Sequence, residues 1–248
     1  VRSCIVAEPG QVLLSLDDKQ IELMLMAIDA EDGDWLEMFR TGRDLHGETA
    51  RLIFGAGFTT DQRKAAKNIN FAWGYGVRAG RLVQMMAREG IRVSRQEAQS
   101  YLDKFETGHS KMRARWQAVV DEAARLGYAT TFWGRRRYLP ELQVARTDEE
   151  FYEAAKQAYN HRIQGTAADL SKVALRVVDE FAPGTLVAAI HDERLLEVPE
   201  AKLTTEWIGG IIESVLVVTR PLIPHGELLA INASVGRSWG EMKEVKCD

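Results

Sequence analysis

The chain has 248 residues, 27% of them charged, a net charge of −4 and two cysteines. That length builds one large domain or two modest ones with a real core. No apolar run approaches the roughly 20 residues of a membrane span, the first residues lack a signal-peptide layout, and Cys4 and Cys247 have no metal-ligand spacing and fit a reducing compartment.

The negative balance argues against nucleic-acid binding through bulk charge, so any such role rests on local basic patches. Val1 rather than Met stands first, which leaves open whether the chain is a piece of a longer protein.

Residues 5–16 (IVAEPGQVLLSL) predict strand, turn, strand. KQIELMLMAIDA follows as a helix with Ile21, Leu25 and Ile28 on one stripe. DLHGETARLIFG is a second helical piece closed by Gly55, and TTDQRKAAKNINFAWGY a third with Thr60 as its N-cap. Ser94 with Glu97 opens a helix through Phe105, and another runs to Gly127. YATTFWGRRRYLP predicts a hairpin turning at Trp133-Gly134. Thr147 with Glu150 opens a helix that breaks near Gly165, and a further helix ends at Phe181. A hairpin over 186–199, an apolar helix over 201–218 and a strand LLAINASV complete the chain. Strands at both ends and helices between them predict an α+β body with a helical insertion.

Two constellations carry chemistry. In LVAAIHDERLLEVP, His191, Asp192 and Glu193 fall at the tip between two apolar strands. Taken alone, that is a polar turn. Asp17, at the end of VLLSL, changes the balance: if the strands are neighbours, Asp17 and Asp192 meet at one sheet edge. Hard oxygen ligands there suit Mg²⁺, which accepts one or two carboxylates plus substrate phosphates. The second constellation is Arg63, Lys67, Phe71 and Tyr75, spaced by four. On a helix they form one stripe about 18 Å long at ~1.5 Å per residue. It runs from cations to aromatics, as a nucleoside triphosphate runs from phosphates to base. The plainer alternative is an amphipathic helix with solvated cations and buried rings. Arg135–Arg137 suit phosphate contact or a solvated turn, and Asn160 with Gln164 could read a minor groove or satisfy each other. His46 and His109 read as ordinary polar residues rather than metal ligands, and neither a zinc cluster nor a Walker loop is present.

At these residues the chain resembles family A DNA polymerases, the bacterial polymerase I group. LDDKQIEL is similar to the family's D-Y-S-Q-I-E-L, RKAAKNINFAWGYG to R-x-x-x-K-x-x-x-F/Y-x-x-x-Y-G, and IHDE to V-H-D-E. GRDLHGETA, FWGRRRYLPEL and IQGTAADL also match family segments, in order. The resemblance implies a palm on an antiparallel sheet with inserted helical fingers: palm over 1–50 and 146–248, fingers over 51–145 with the 128–140 hairpin. It implies Mg²⁺ (two ions) on Asp17 and Asp192, with Glu193 nearby; Lys67 counts with these three as catalytic. Arg63, Lys67 and His46 would meet the triphosphate, Phe71 the incoming sugar and base, and Tyr75 the inner end of the fingers helix. Glu22 would exclude a 2′-hydroxyl. Asn160, Gln164, His191 and Arg136 would contact primer-template DNA. The partners implied are that DNA and dNTPs, with no membrane, in the cytoplasm of a bacterium or phage-infected cell, an organelle not being excluded.

Departures from the pattern carry expectations of their own. Met24 replaces a usual Arg, Asp18-Lys19 a usual Tyr-Ser, Lys156 a frequent Arg, and Ala72-Trp73 a Gly with a smaller apolar residue. No segment corresponds to the family's thumb or exonuclease domain, so a missing region or an accessory protein is a candidate partner. Weak, salt-sensitive DNA binding, low processivity and no proofreading are expected of this chain alone. Competing readings are a metal-dependent nuclease or phosphohydrolase, which has no need of the Arg63–Tyr75 stripe, and a non-catalytic DNA-binding remnant. A single-subunit RNA polymerase is opposed by Glu22.

Overall fold

The first strand, β1 (Gln11–Asp18), is buried on both faces along most of its length because it lies mid-sheet. The computed structural model describes residues 2–246, so Val1 and Cys247 lie outside the described residues. The chain divides into two compact units: Val1–Ile21 with Ala167–Asp248, and Glu22–Thr166.

The first unit is built on a five-stranded sheet in the order β4 (Leu186–Ile190), β5 (Glu193–Pro199), β1, β6 (Ile231–Gly236), β7 (Lys243–Val245), every neighbouring pair antiparallel. Side chains alternate across it. Leu14, Leu16, Leu196, Val198 and Ala233 face one way and pack on Ala174 and Val178, and on Ile208, Ile211 and Val215 of α10 (Thr205–Thr219). Leu13 and Leu195 face the other way, toward Ile5, Ile190, Trp239 and Met242. The edge strand β4 is interrupted by a bulge between Leu186 and Ala188.

The second unit is helical. Its elements are α1 (Ile21–Ala30) beyond its first residue, α2 (Gly33–Thr41), α3 (Leu45–Phe54), α4 (Thr60–Gly74), α5 (Ala79–Arg88), α6 (Arg95–Gly108), α7 (Ser110–Leu126) and α8 (Glu141–Val144), with the two-stranded hairpin β2 (Tyr128–Thr130) and β3 (Arg136–Tyr138). The first part of α9 (Asp148–Phe181) also belongs here. Its interior is aromatic: Trp35, Trp73 and His109 surround Phe105, and Tyr159 touches Trp73 and Trp116. Asp29, its side chain 2% exposed, accepts from both Arg115 and Arg162 and ties α1 to α7 and α9. A buried carboxylate needs such partners.

The α+β class, the antiparallel sheet and the helical insertion agree with expectation. Several local expectations do not. Residues 5–8 form only a bridge, Val6 with Ser238, because Pro9-Gly10 turns the chain at once into β1. The N-cap of α4 is Thr59, not Thr60, because Gln62 lies three residues on and closes a reciprocal capping box with it. Thr147 caps Glu150, but the Glu150 carboxylate accepts from Arg146 instead of returning to Thr147. The fourth difference is larger: α9 runs unbroken for 34 residues through Gly165. A Cβ there would stand 2.7 Å from Thr131 Cγ2, and Arg135 donates to the Gly165 carbonyl at 2.9 Å. The glycine serves close approach of the hairpin, not a break.

Candidate active site

The register of β1 on β5 sets Asp17 opposite Glu193, and the amide of Asp18 donates to the Asp192 carbonyl at 3.2 Å. Asp17, Asp192 and Glu193 thus meet at one sheet edge. The loop of the β4–β5 hairpin is His191-Asp192, and His191 stands at φ +56°, a left-handed conformation that costs a non-glycine residue of order 1–3 kcal/mol. Burial, then repulsion from Asp192, Glu193 and Asp18, pushes the Asp17 carboxyl up to about 6, against a smaller opposing pull from Arg194. A divalent cation relieves such like-charge crowding. Among the described residues no group of three or more His, Cys, Asp or Glu side chains is arranged to hold a metal ion. Two carboxylates at a crowded edge have the donor chemistry that would suit an Mg²⁺ keeping places for water and phosphate.

Glu193 contributes to this crowding but is held by partners of its own. Its Oε1 accepts from Ser15 Oγ at 2.6 Å and Trp239 Nε1 at 2.7 Å, and Arg2 lies 3.6 Å from its other oxygen. Asp18, one residue on from Asp17, points to the opposite face and pairs with Arg194, which is wholly buried. Burial raises the Asp18 carboxyl, and the guanidinium opposes that. Arg194 also reaches the Asp192 carbonyl at 3.3 Å. Neither Arg194 nor Trp239 figures among the sequence candidates. An arginine inside the apolar strand run RLLEV was the available signal for the first, since such a cation requires a buried acid.

In the second unit, α4 displays the expected stripe. Arg63 is forked onto Asp44, with Nε to Oδ2 at 2.6 Å and Nη2 to Oδ1 at 2.7 Å, and this pair holds the Asp44 carboxyl below its usual range. Lys67 is exposed and joins no ion pair among the described residues. Phe71 is half-buried, its ring centre 5.8 Å from that of His46. His46 is 4% exposed and accepts from Asn70 Nδ2 at its Nδ1, 2.9 Å away. Burial, and then the cations of Arg63 and Lys67, lower its pKa to about 4, so it is a neutral imidazole at pH 7. Tyr75 ends α4 and donates its hydroxyl to Glu22; Gln164 Nε2 reaches Tyr75 Oη at 2.8 Å and Glu22 Oε1 at 3.2 Å.

Asn160 lies one turn before Gln164 on α9, with a buried side-chain oxygen that has no hydrogen-bond partner among the described residues. Arg135 and Arg137 are engaged by Gly165 and Gln157, whereas Arg136 stacks its guanidinium 4.6 Å over the Tyr128 ring. Met24 is buried, and Lys156 pairs with Glu153. No helix is long and apolar enough to cross a membrane among the described residues.

The family model for DNA polymerase family A matches residues 1–241. The chain is 35% identical to the thermostable DNA polymerase I of Thermus filiformis over 98% of its own length and 29% of that protein's. It is 34% identical to the DNA polymerase I of Pseudomonas aeruginosa, covering 97% of this chain and 26% of that one. A solved structure, the POL domain of Pol1 from M. smegmatis in complex with DNA primer-template and dNTP, is similar at a TM-score of 0.81 and 31% identity, over 96% of this chain and 42% of that one. The chain thus spans less than a third of the length of these curated relatives.

Proposed function

This chain belongs to DNA polymerase family A, and on that premise we propose that it carries the palm and fingers chemistry of a template-directed DNA polymerase, adding deoxynucleotides to a primer 3′ end. The observation that carries this reading is the meeting of Asp17, Asp192 and Glu193 at one strand edge, with Asp17 pushed up to about 6 by burial and mutual repulsion. Divalent-metal dependence is general in the family.

Asp17 and Asp192 would hold two Mg²⁺ ions, which when bound supply Lewis-acid stabilisation of the attacking 3′-oxygen and the leaving pyrophosphate. The chain's own groups do the rest. Arg63 exchanges Asp44 for the triphosphate, and Lys67 adds a second cation near the leaving phosphates. His46, neutral, serves by hydrogen bonding rather than by charge. Phe71 covers the sugar and base. Glu22, fixed by Tyr75 and Gln164, occupies the space a 2′-hydroxyl would need. Asn160, Gln164, His191 and Arg136 contact primer-template DNA. At a net charge of −4, DNA binding by this chain alone is weak and falls steeply with salt.

A primer-extension assay tests the reading. With primed template, Mg²⁺ and dNTPs, template-directed extension that Asp192→Asn abolishes supports the polymerase. Primer shortening instead would favour a nuclease, and DNA binding with neither reaction a non-catalytic remnant.

A further inference from the structure

The turn at Trp239 has no role in the reading above, yet it is built with unusual care. Trp239 opens a short 3-10 turn, Trp239–Glu241. Its backbone amide donates to the Ile5 carbonyl at 3.0 Å, and Ala7 donates to the Arg237 carbonyl at 2.9 Å. Ser238 caps the turn by accepting from the Gly240 amide at 3.2 Å. A Cβ on Gly240 would stand 2.9 Å from the Ser3 backbone, and one on Gly236 would stand 2.8 Å from the Glu241 carbonyl oxygen. Arg2 lies 4.3 Å above the indole ring. All of this fixes an indole whose polar atom can only donate, and that atom is spent on Glu193 Oε1 at 2.7 Å. Ser15, on the same β1 face as Asp17, gives its hydroxyl proton to the same oxygen at 2.6 Å.

A glutamate has three rotatable side-chain bonds, and one left unrestrained beside a cation site is free to swing its carboxylate away from the ion. Two short, charge-assisted donors on one oxygen prevent that. We propose that Trp239 and Ser15 are positioning residues that hold Glu193 beside the cation site of Asp17 and Asp192, so that its charge attracts the ion while the ion's remaining positions stay open to substrate phosphates. This rests on the cation-site reading made above. Outer partners of this kind typically change metal affinity 10- to 100-fold when removed.

The test uses this chain labelled with ¹⁵N-tryptophan, whose six indole N–H signals are resolved by NMR, with Trp239→Phe identifying the relevant one. Glu193→Gln should move that signal and leave the other five; an unmoved signal would overturn the contact. Titration with Mn²⁺ should broaden the Trp239 signal in the wild type and not in Asp192→Asn. The Mn²⁺ Kd should rise about 10-fold in Trp239→Phe and in Glu193→Gln, with no further loss in the double variant. Ser15→Ala should move it the same way by less, which covers the case of a Phe variant that fails to fold. An unchanged Kd in Trp239→Phe and Ser15→Ala, or losses that multiply in the double variant, would sink the positioning role. If Mn²⁺ does not bind the wild type, the cation-site reading fails and the positioning role with it; a moved indole signal would then leave the contact as architecture alone.

Discussion

Tyr75 and Glu22, 53 residues apart in sequence, share a hydrogen bond in which the phenol donates to the carboxylate. Gln164 completes a three-member network by donating to both. Tyr75 closes α4 and Glu22 lies in the first turn of α1, so the bond fixes the end of the aromatic stripe to the residue proposed above for sugar selection. A carboxylate used as a steric wall must not swing, and a network that satisfies it on two sides restrains it.

Replacing that wall should therefore relax nucleotide choice. Glu22→Ala is expected to raise the ratio of ribo- to deoxynucleotide incorporation about 100-fold or more, since each 1.4 kcal/mol of lost discrimination is tenfold. Tyr75→Phe should raise it less, about 5- to 10-fold on the same scale, because the wall remains but is loosened. Single-nucleotide insertion kinetics with paired rNTP and dNTP substrates read both ratios, and an unchanged ratio in Glu22→Ala would remove Glu22 from sugar selection.

The fork between Arg63 and Asp44 competes with any phosphate for the same guanidinium. Asp44→Asn should tighten dNTP binding by about 2- to 5-fold, a gain under 1 kcal/mol as suits an exposed pair. Stopped-flow or equilibrium titration of dNTP against the primed complex measures it. Weakened binding would mean that Asp44 orients Arg63 instead of restraining it.

Asp17 carries a stability signature. Its folded carboxyl is raised to about 6 from an ordinary 3.8, so the proton it holds stabilises the folded state fully below about 3.8 and ceases to do so as pH rises through about 6. Asp17→Asn should accordingly raise Tm at pH 7 to 8 in metal-free buffer, and the gain should vanish by pH 4. Excess Mn²⁺ should reverse the order, stabilising the wild type and not the variant. Calorimetry across that pH range decides; a gain that persists at pH 4 would point to packing rather than charge.

His46 acts with the opposite sign. Its folded pKa is lowered to about 4 from 6.5, so its neutral burial stabilises the fold above about 6.5 and that contribution is lost as pH falls toward 4. His46→Gln should flatten the acid limb of the Tm profile between these values. An acid limb of unchanged slope would assign it to other groups.

Gly165 offers a test of packing against propensity. Alanine is favoured over glycine in a helix by about 1 kcal/mol, yet its Cβ would meet buried Thr131 at 2.7 Å. Overpacking of this kind costs about 1–3 kcal/mol, so Gly165→Ala should lower stability by about 1 kcal/mol net. Denaturant melts that show a gain instead would mean the hairpin yields.

That glycine also shows where reading a sequence stops. Asp17 and Asp192 were legible as neighbours because two apolar strand runs each ended in acid, and strand pairing is the cheapest way to bury both runs. The stripe from Arg63 to Tyr75 was legible because helical spacing is local. Whether Gly165 breaks a helix or admits a neighbour depends on Thr131 and Arg135, which are distant in sequence. The fork of Arg63 on Asp44 and the grip of Trp239 on Glu193 are likewise long-range, and a side chain's partner leaves no periodic trace. Helices α2 and α5 leave a weak trace in the sequence for a different reason. Each is short and polar on one side, and α2 is announced mainly by its caps at Asp32 and Gly42.

The buried pair of Asp18 and Arg194 has a consequence for descent. Where the family's first motif usually carries tyrosine, this chain has an acid that the sheet hides from water together with a single cation. Losing either alone would strand the other as an uncompensated buried charge, at a cost of about 3–5 kcal/mol, a large share of what a domain possesses. The two positions are therefore bound to drift together or not at all. A lineage that acquired this pair would retain it as a neutral ratchet, whatever its worth to catalysis.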